Sequence, residues 1–275
     1  MKATQVDWTG PIASRSPVAL VMLQIENLTL HAPGSGEGTE PVLNAVSLHL
    51  EEGTTVGLVG ERGSGKLALF LALLRLEPVD EGRIVFLGEE LLAMSQRAFL
   101  TARRAIQPVF SPDFGALPPR HRLTQIFDTT LRAHFPGLTE AQRRHRIADA
   151  IHHSGLPFSS RTFQTADLGP LEIQQAVLTR ALLAEPRVLL ALDFTTGLDA
   201  AAQASLLNRL KDLQEQLRLG ILFATPDLAV GSFMSDIVHI LHRGKIVESA
   251  PPEALVNSPS HDYTQKLIAA AMTLH

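Results

Sequence analysis

The chain has 275 residues, enough for one large α/β domain with a sizeable buried core. It carries 24 lysines and arginines against 28 aspartates and glutamates, and this net charge of −4 argues against a protein that coats nucleic acid. Hydrophobic residues make up 45% and cysteine is absent, which excludes global disorder, disulfide frameworks, thiolate metal sites and cysteine nucleophiles.

The apolar runs of the sequence are too short for a membrane-spanning helix, which needs about 20 residues. The run Val188–Leu192 ends at Asp193, and the run Ile221–Ala224 ends at Thr225. Charged residues, glycine and proline interrupt residues 1–18, which we expect to form a flexible tail and not a signal sequence. The sequence therefore predicts a soluble protein that reaches a membrane only through a partner.

The first 110 residues predict several strands and one helix. Alternating apolar and polar positions indicate an antiparallel pair of strands, separated by a turn rich in glycine and proline. The expected elements are strands at 21–30, 42–50 and 54–59, with the turn at Pro33–Gly38, then a helix to about Leu76 and strands at 83–87 and 105–110.

Residues 122–183 lack strand patterns and predict several helices, broken at Pro136-Gly137 and at Gly155–Pro157. Strands and helices then alternate, which is typical of a largely parallel sheet covered by helices. The expected elements are a strand at 188–192, a helix at 200–218, a strand at 221–224, a helix at 227–236, two strands around Arg243-Gly244, and a helical extension at 251–272. We therefore predict one domain at 19–272 with a helical subdomain, about 115–183, inserted in its core.

Residues 60–66 follow the pattern G-x-x-x-x-G-K between a predicted strand and a predicted helix. In that setting, glycines let backbone N–H groups surround phosphate oxygens, the helix N-terminus adds positive potential, and Lys66 reaches the terminal phosphates. The predicted nucleotide-binding residues are Gly60, Glu61, Arg62, Gly63, Ser64, Gly65, Lys66, Leu67 and Ala68. Arg62 is either a further phosphate contact or a solvated cation.

The residue after Lys66 departs from the usual pattern. A serine or threonine is expected there, because its hydroxyl binds Mg²⁺. The chain has Leu67 instead, which offers no oxygen. One of the two usual protein ligands of the metal is therefore missing.

Motifs along most of the chain resemble those of ATP-binding subunits of ABC transporters, most closely the dipeptide, oligopeptide and nickel importers. Besides the phosphate loop, the segments that carry the resemblance are Phe110–Arg120, Arg180–Leu182, Thr195–Asp199, Asp227–Val230 and His261–Thr264. The resemblance implies a P-loop NTPase fold of the ABC type: a mostly parallel sheet in the core, an antiparallel β subdomain and an inserted α-helical subdomain. It also implies that two such subunits sandwich ATP head to tail and move a membrane permease.

Two loops that act on ATP in this family have other residues here. The family's Q-loop glutamine corresponds to Ser111. Its Leu-Ser-Gly-Gly-Gln signature corresponds to Leu168, Gly169, Pro170, Leu171 and Glu172. Pro170 has no N–H group, Leu171 adds bulk, and Glu172 is expected to bring negative charge near a polyphosphate.

The residues after the strand at 188–192 also depart from the family. Counting back from the aspartate of the D-loop, the metal-linked aspartate corresponds to Leu192 and the catalytic glutamate to Asp193. In the alternative register, Asp193 is the metal aspartate and Phe194 takes the place of the base. Either way, only one of two carboxylates remains.

Three further positions are carried over from the resemblance. The family's switch histidine corresponds to Pro226, whose side chain makes no hydrogen bond to a phosphate. The aromatic residue that stacks on adenine corresponds to Ala32. Asp199 matches the D-loop aspartate, which implies a contact with the opposing subunit.

These departures predict a site that binds nucleotide but does little chemistry. Losing one group that stabilises the transition state costs on the order of 10²–10³ in rate, and losses that act on one event do not multiply. We expect ATP or ADP to bind through the phosphate loop with little dependence on Mg²⁺, and hydrolysis to be very slow or absent. We assign no metal ligand to the chain.

The preferred interpretation is an importer subunit for peptides or related small solutes. It pairs with a second ABC ATPase subunit, most simply as a heterodimer, and docks through Phe114–Arg120 on permease subunits at the cytoplasmic face of the membrane. One alternative is an active ATPase that energises dipeptide, oligopeptide or nickel uptake, and another is an ABC-type regulator without a permease. The resemblance implies no nucleic-acid partner, and it leaves the solute open.

Overall fold

The computed structural model describes residues 20–32, 34, 39–115 and 117–273. The predicted tail at 1–18 and most of the predicted turn at Pro33–Gly38 lie outside the described residues. The strands are β1 Val21–Leu30, β2 Leu43–Glu51, β3 Thr55–Val59, β4 Glu81–Phe86, β5 Glu89–Glu90, β6 Ile106–Phe110, β7 Val188–Leu192, β8 Gly220–Thr225, β9 Ile237–His242 and β10 Lys245–Ala250. The helices are α1 Lys66–Leu73, α2 Gln96–Ala105, α3 Leu123–His134, α4 Glu140–Ser154, α5 Pro170–Leu182, α6 Ala200–Leu217, α7 Leu228–Met234, α8 Pro252–Asn257 and α9 Asp262–Thr273.

The central sheet has six strands in the order β10-β9-β3-β8-β7-β6. All neighbours are parallel except β10, which pairs antiparallel with β9. Three neighbouring strands end within one residue of each other, because Val59 pairs with Thr225, and Leu192 pairs with Ala224. The loops that follow β3, β7 and β8 therefore meet at one edge of the sheet, where ligands bind in open α/β sheets.

A second sheet has four antiparallel strands in the order β2-β1-β4-β5. The predicted antiparallel pair is confirmed as β1 and β2, and the predicted strand at 83–87 is β4, which pairs with β1. The mostly parallel sheet, the antiparallel sheet and the helices confirm the predicted fold class.

The helices between β6 and β7 begin and end near the glycine and proline residues at which the sequence predicts breaks. Thr139 caps α4, its side chain accepting a hydrogen bond from the Gln142 N–H at 3.3 Å. Gly155 ends α4 in the left-handed conformation, with φ 75°. The helix α2 and the short strand β5 were not predicted, although Ser95 caps α2 and the apolar Phe99 and Ala102 face the core at helical spacing.

The central sheet separates two large apolar cores. Successive residues of β7 point to opposite faces, so that Leu190 and Leu192 join the core around Phe70, whereas Leu189 and Ala191 join the core around Phe194. The leucines at 206, 207, 210 and 213 of α6 recur at helical spacing and are buried, and Leu217 packs against the same core. Among the described residues, no helix combines the length and the apolar character needed to cross a membrane.

The C-terminal extension consists of two helices, α8 and α9. Both pack against the side of the central sheet that contains β9 and β3. Leu255 of α8 and Leu267 of α9 join a small core with Val59, the last residue of β3. Tyr263 stacks on His242 with ring centroids 3.8 Å apart and an interplanar angle of 27°. The chain end is thus packed beside the strand that leads into the phosphate loop.

Candidate functional site

The loop between β3 and α1 needs glycine at specific positions. Gly65 has φ 112° and Gly63 has φ 82°, a left-handed region that strains other residues. A Cβ atom on Gly60 would lie 2.2 Å from the Leu241 carbonyl oxygen, and one on Gly65 would lie 2.7 Å from Leu43 Cδ2. The loop therefore takes a backbone path that these glycines allow and most other residues do not.

Hydrogen bonds from neighbouring loops hold this path in place. The Gly60 N–H donates to the Thr225 carbonyl at 3.2 Å, and the Gly244 N–H donates to the Ser64 carbonyl at 2.9 Å. The Gly244 carbonyl in turn accepts the Asn44 N–H at 2.9 Å, from the antiparallel sheet. The loop is thus preorganised by contacts within the chain.

Lys66, the first residue of α1, is 4% exposed. Its ammonium donates hydrogen bonds to the carbonyl of Gly60 and, at 2.9 Å, to that of Glu61. Burial lowers the pKa of Lys66, and the Asp193 carboxylate partly opposes this effect. The start of α1 has no side-chain cap and no acidic residue in its first turn, so its N–H groups and positive potential face an open site.

A cavity of about 510 Å³ opens beside this loop. Six of the predicted nucleotide-binding residues line it, and the others, Gly60, Glu61 and Ser64, do not. The six are Arg62, Gly63, Gly65, Lys66, Leu67 and Ala68. From other parts of the chain, Ala32, Ser111, Leu192 and Asp193 line the same cavity, so the structure brings together residues far apart in sequence.

Asp193 lies directly after β7 and faces the cavity beside Lys66. Its N–H donates to the Ala224 carbonyl at 2.9 Å, and its backbone has φ 48°, an uncommon value outside glycine. Burial raises the pKa of the Asp193 carboxyl, against the opposing effects of Lys66 and Arg62. Its Oδ1 atom is buried with no hydrogen-bond partner among the described residues, as is the Ser64 hydroxyl. Asp193, which lines the cavity, therefore has an acceptor oxygen to offer a ligand, whereas Ser64 lies outside the cavity lining.

The positions that ligate Mg²⁺ in an intact P-loop site have carbon side chains here. Leu67 lines the cavity with 39% of its surface exposed, and Leu192 is 1% exposed at the end of β7. Across 20–32, 34, 39–115 and 117–273, no group of three or more histidine, aspartate or glutamate residues is arranged to hold a metal ion. These residues do not fit a divalent cation held in the usual way.

Ser111 connects the end of β6 to the same site. It is buried, it lines the cavity, and its N–H donates to the Leu192 carbonyl at 3.0 Å. The segment that follows Ser111 contains Phe114. The ring of Phe114 packs edge-on against the ring of Phe110, with the ring centroids 5.6 Å apart.

The five residues at the signature position form the start of α5 and do not line the cavity. Glu172 reaches back to this start: its Oε2 accepts the Gly169 N–H at 3.0 Å, and its Oε1 accepts the Ser160 hydroxyl at 2.5 Å. Pro170 is the first helical residue and brings no N–H group. Leu168 is buried and Leu171 is partly buried against the same core. The Glu172 carboxylate is therefore engaged with its own helix and a neighbouring hydroxyl.

Two further predicted positions lie outside the cavity lining. Asp199 is exposed and caps α6, with its Oδ1 accepting the Ala202 N–H at 2.8 Å. Pro226 is exposed and precedes Asp227, which caps α7 by accepting N–H groups at 2.8 and 3.1 Å. These contacts explain why the aspartates are present without requiring a ligand.

The contact between His31 and Asp80 at the edge of the cavity was not predicted from the sequence. His31 lines the cavity, and the Asp80 carboxylate accepts its backbone N–H at 2.7 Å and lies 3.0 Å from its Nδ1. The hydrogen bond from the His31 side chain lowers the pKa of Asp80. The two residues are 49 positions apart and meet only because β1 pairs with β4, which no local pattern indicates.

A smaller groove of about 210 Å³ lies next to the segment that follows β6. Its walls are Pro112, Leu117, Pro119, Thr165, Ala166 and Ile173. Phe114, in the same segment, is 45% exposed. This groove lies between the loop after β6 and the start of α5.

A strand, a glycine-rich loop with a buried lysine, and a helix with an open N-terminus define a P-loop nucleotide-binding protein. Residues 43–196 match the ABC transporter family, and the chain belongs to this family as an ATP-binding domain.

Several bacterial relatives are about one-third identical to the chain over the residues that match. An uncharacterized ABC transporter ATP-binding protein, YejF, of Escherichia coli K12 is 36% identical over 228 residues, which are 83% of this chain and 43% of the relative. A peptidoglycan transport ATP-binding protein of Agrobacterium fabrum is 33% identical over 84% of this chain and 42% of its own length. A putative peptide import ATP-binding protein of Brucella ovis is 34% identical over 90% of this chain and 78% of its own length. The chain thus spans less than half of the first two relatives.

Solved structures share the fold at lower identity. The cbiO1 protein of Clostridium perfringens, part of the ABC transporter complex cbiONQ, is 21% identical, with a TM-score of 0.75 over 93% of this chain and 95% of that one. The dimeric ATP-binding cassette MJ0796, bound to ADP and Pi, is also 21% identical, with a TM-score of 0.74 over 84% of this chain and 99% of that one. These likenesses confirm the ABC-type P-loop fold.

Proposed function

We propose that this chain is the ATP-binding subunit of an ABC importer for peptides or related small solutes. The relative from Brucella ovis, described as a putative peptide import ATP-binding protein, supports the peptide assignment. The observation that carries the nucleotide assignment is the buried Lys66 beside an open helix start and a 510 Å³ cavity. Gly60 to Ala68 then hold ATP or ADP, through backbone N–H groups and Lys66.

Hydrolysis at this site is proposed to be very slow or absent. A phosphoryl transfer needs a placed water and compensation for developing charge. Leu67 and Leu192 offer no oxygen, and Ser111 and Pro226 replace the family's glutamine and histidine. Asp193 takes the position of the catalytic glutamate, with a carboxyl that burial makes harder to ionise. The site therefore keeps a loop that binds phosphates but lacks the groups that promote cleavage of the bond to the terminal phosphate.

The chain is proposed to dock on permease subunits and to lie at the cytoplasmic face of the membrane. The apolar groove between Pro112, Leu117 and Ile173 suits an apolar segment of a permease, whereas the exposed Phe114 of the same segment lines the nucleotide cavity. The helical block at about 115–183, which carries this groove, is proposed as an inserted subdomain. A second ABC ATPase subunit would contact the exposed loop around Asp199.

The signature segment argues for a partner of a different sequence. In a homodimer, both composite sites would contain Gly169, Pro170 and Glu172 opposite the phosphate loop. In a heterodimer, the phosphate loop of this chain faces the signature of the partner, and the phosphate loop of the partner faces Gly169, Pro170 and Glu172, so each composite site keeps one half that comes from the partner. We therefore propose a heterodimer in which this subunit binds nucleotide and the partner carries the intact phosphate loop and catalytic residues.

Turnover of the purified chain tests this function. We expect phosphate release from ATP at the background rate, equal in the wild type and in Lys66→Ala, while calorimetric ADP binding is lost in Lys66→Ala. The conservative control is Lys211→Ala, a lysine on α6 that packs over Phe233 far from the loop in sequence. A turnover that exceeds background and disappears in Lys66→Ala would establish the alternative, an active ATPase.

A further inference from the structure

Arg62 is a cation in the middle of the phosphate loop. It is exposed and lines the same cavity as Lys66 and Asp193. Within the part of the chain that the structure describes, no carboxylate lies within salt-bridge distance of its guanidinium. Arginines elsewhere in the fold, such as Arg143 with Asp128 at 2.6 Å, do have such partners. Arg62 therefore has its donors available to the cavity.

The charges around Arg62 indicate that its field reaches the phosphate site. After burial, which is the larger effect, Arg62 contributes to the lowered pKa of Lys66. It also opposes the burial that raises the pKa of Asp193. Both groups face the cavity, so the guanidinium acts on the region where the terminal phosphates of a nucleotide would lie.

Lys66 supplies a single positive charge against the several negative charges of a polyphosphate. Its ammonium already donates to the Gly60 and Glu61 carbonyls, and burial favours its neutral form. In an intact P-loop site a divalent cation balances the remaining charge, but the leucines at 67 and 192 do not fit such an ion. An arginine needs no ligands and binds phosphate oxygens with two parallel N–H donors.

We infer that Arg62 supplies the positive charge that a divalent cation supplies at an intact P-loop site, so that this site binds nucleoside diphosphates and triphosphates as metal-free anions. The inference rests on the proposed nucleotide binding. It names the form of the ligand, an uncomplexed polyphosphate, and the residue that selects it. Leu67 beside the same cavity then adds apolar surface where a hydrated metal would otherwise lie.

Calorimetric titration of the full chain with ADP tests the inference, in EDTA and in Mg²⁺ at equal ionic strength. The wild type is expected to bind ADP at least as tightly in EDTA as in Mg²⁺. Arg62→Ser and Arg62→Gln each remove the charge and are expected to weaken binding in EDTA by about 10- to 100-fold, the range for a charge-assisted hydrogen-bonded pair. Arg62→Lys keeps the charge without the planar fork and is expected to lose less.

The matched control is Arg97→Ser, which changes the net charge equally at an exposed position on α2 away from the cavity. It is expected to leave ADP binding unchanged. Thermal unfolding without nucleotide checks that each variant folds, and if Arg62→Ser does not, Arg62→Gln decides.

The outcomes separate the inference from the function on which it rests. Unchanged binding in the folded Arg62 variants, or wild-type binding that tightens tenfold or more in Mg²⁺, overturns the role of Arg62 and leaves nucleotide binding intact. No ADP binding by the wild type in either buffer overturns the proposed nucleotide site itself.

Discussion

The helices α1 and α5 both begin directly after a glycine, Gly65 and Gly169. At α1 no side chain caps the first turn, and the preceding loop leaves a cavity in front of it. At α5 the Glu172 carboxylate takes the Gly169 N–H and the Ser160 hydroxyl, and Pro170 removes another donor. One helix start is open to an anion, and the other is closed by a carboxylate of its own chain.

The difference teaches that a glycine before a helix does not make an anion site. An anion site needs free N–H groups at the helix start. These groups stay free only if the surrounding residues support the loop without binding the N–H groups themselves. At α1 that support comes from backbone hydrogen bonds of Gly60, Ser64 and Gly244. At α5 the supporting group is itself the anion.

The largest effect is expected from Gly65→Ala, which disrupts the open helix start at α1. Its φ of 112° strains alanine, and the new Cβ would lie 2.7 Å from Leu43 Cδ2 and 2.8 Å from the Val42 carbonyl. We expect the free energy of unfolding to fall by about 3 kcal/mol or more, and ADP binding to disappear. Urea denaturation and calorimetry measure the two effects.

Gly63→Ala is the matched control for that substitution. Gly63 also has a positive φ, 82°, but its added Cβ would meet no atom within 4 Å. We expect a loss of about 1–2 kcal/mol from backbone strain alone. Equal losses in the two variants would contradict the view that close packing against Val42 and Leu43 adds to the dihedral strain at Gly65.

An intermediate effect is expected from Glu172→Ala, which removes the carboxylate that binds the start of α5. This change leaves the Gly169 N–H and the hydroxyl of Ser160, a residue 1% exposed, without their acceptor. We expect the free energy of unfolding to fall by about 1–2 kcal/mol, with ADP affinity unchanged because α1 is untouched. Thermal and urea unfolding measure the stability, and Glu172→Gln, which keeps one acceptor oxygen, is expected to lose about half as much.

The smallest effect is expected at another segment that a carboxylate binds, the one just before α9, where the acceptor is Glu248 of β10. Partial burial works to raise the pKa of Glu248, but N–H groups of Ser260 and His261 and the Ser260 hydroxyl lower it to about 2. Because the folded pKa is below the usual 4.5, the stabilisation is full above about pH 4.5 and is lost as the pH falls toward 2.

Glu248→Gln is therefore expected to be less stable than the wild type at pH 7, by under about 1 kcal/mol because the carboxylate is near solvent. The difference is expected to shrink as urea titrations are repeated at pH 5, 4 and 3. A difference that is constant over this range would mean that packing, and not the charge of Glu248, holds the start of α9.

Much of the fold follows from local patterns, because strand alternation, helix caps and glycine stops act over a few residues. The strands β1, β2, β3 and β7 and the breaks around α4 are examples. The phosphate loop was predictable for the same reason, since its residues are consecutive.

The remainder depends on contacts between distant residues. The Glu172 carboxylate binds the hydroxyl of Ser160, twelve positions earlier, and the Gly169 N–H, and no local pattern indicates the Ser160 contact. His31 and Asp80 meet only through the pairing of β1 with β4. Such partners are set by tertiary packing, which a one-dimensional pattern does not contain.

Gly244 has a consequence beyond holding the phosphate loop. Its N–H binds Ser64 of that loop, its carbonyl binds Asn44 of the antiparallel sheet, and it lies in the hairpin turn between β9 and β10 of the central sheet. A Cβ there would lie 2.5 Å from the Val42 carbonyl, so the three parts touch without a gap. Both sheets and the phosphate loop are joined through the backbone of a single residue, so a tilt of one sheet against the other is expected to move the phosphate loop with it.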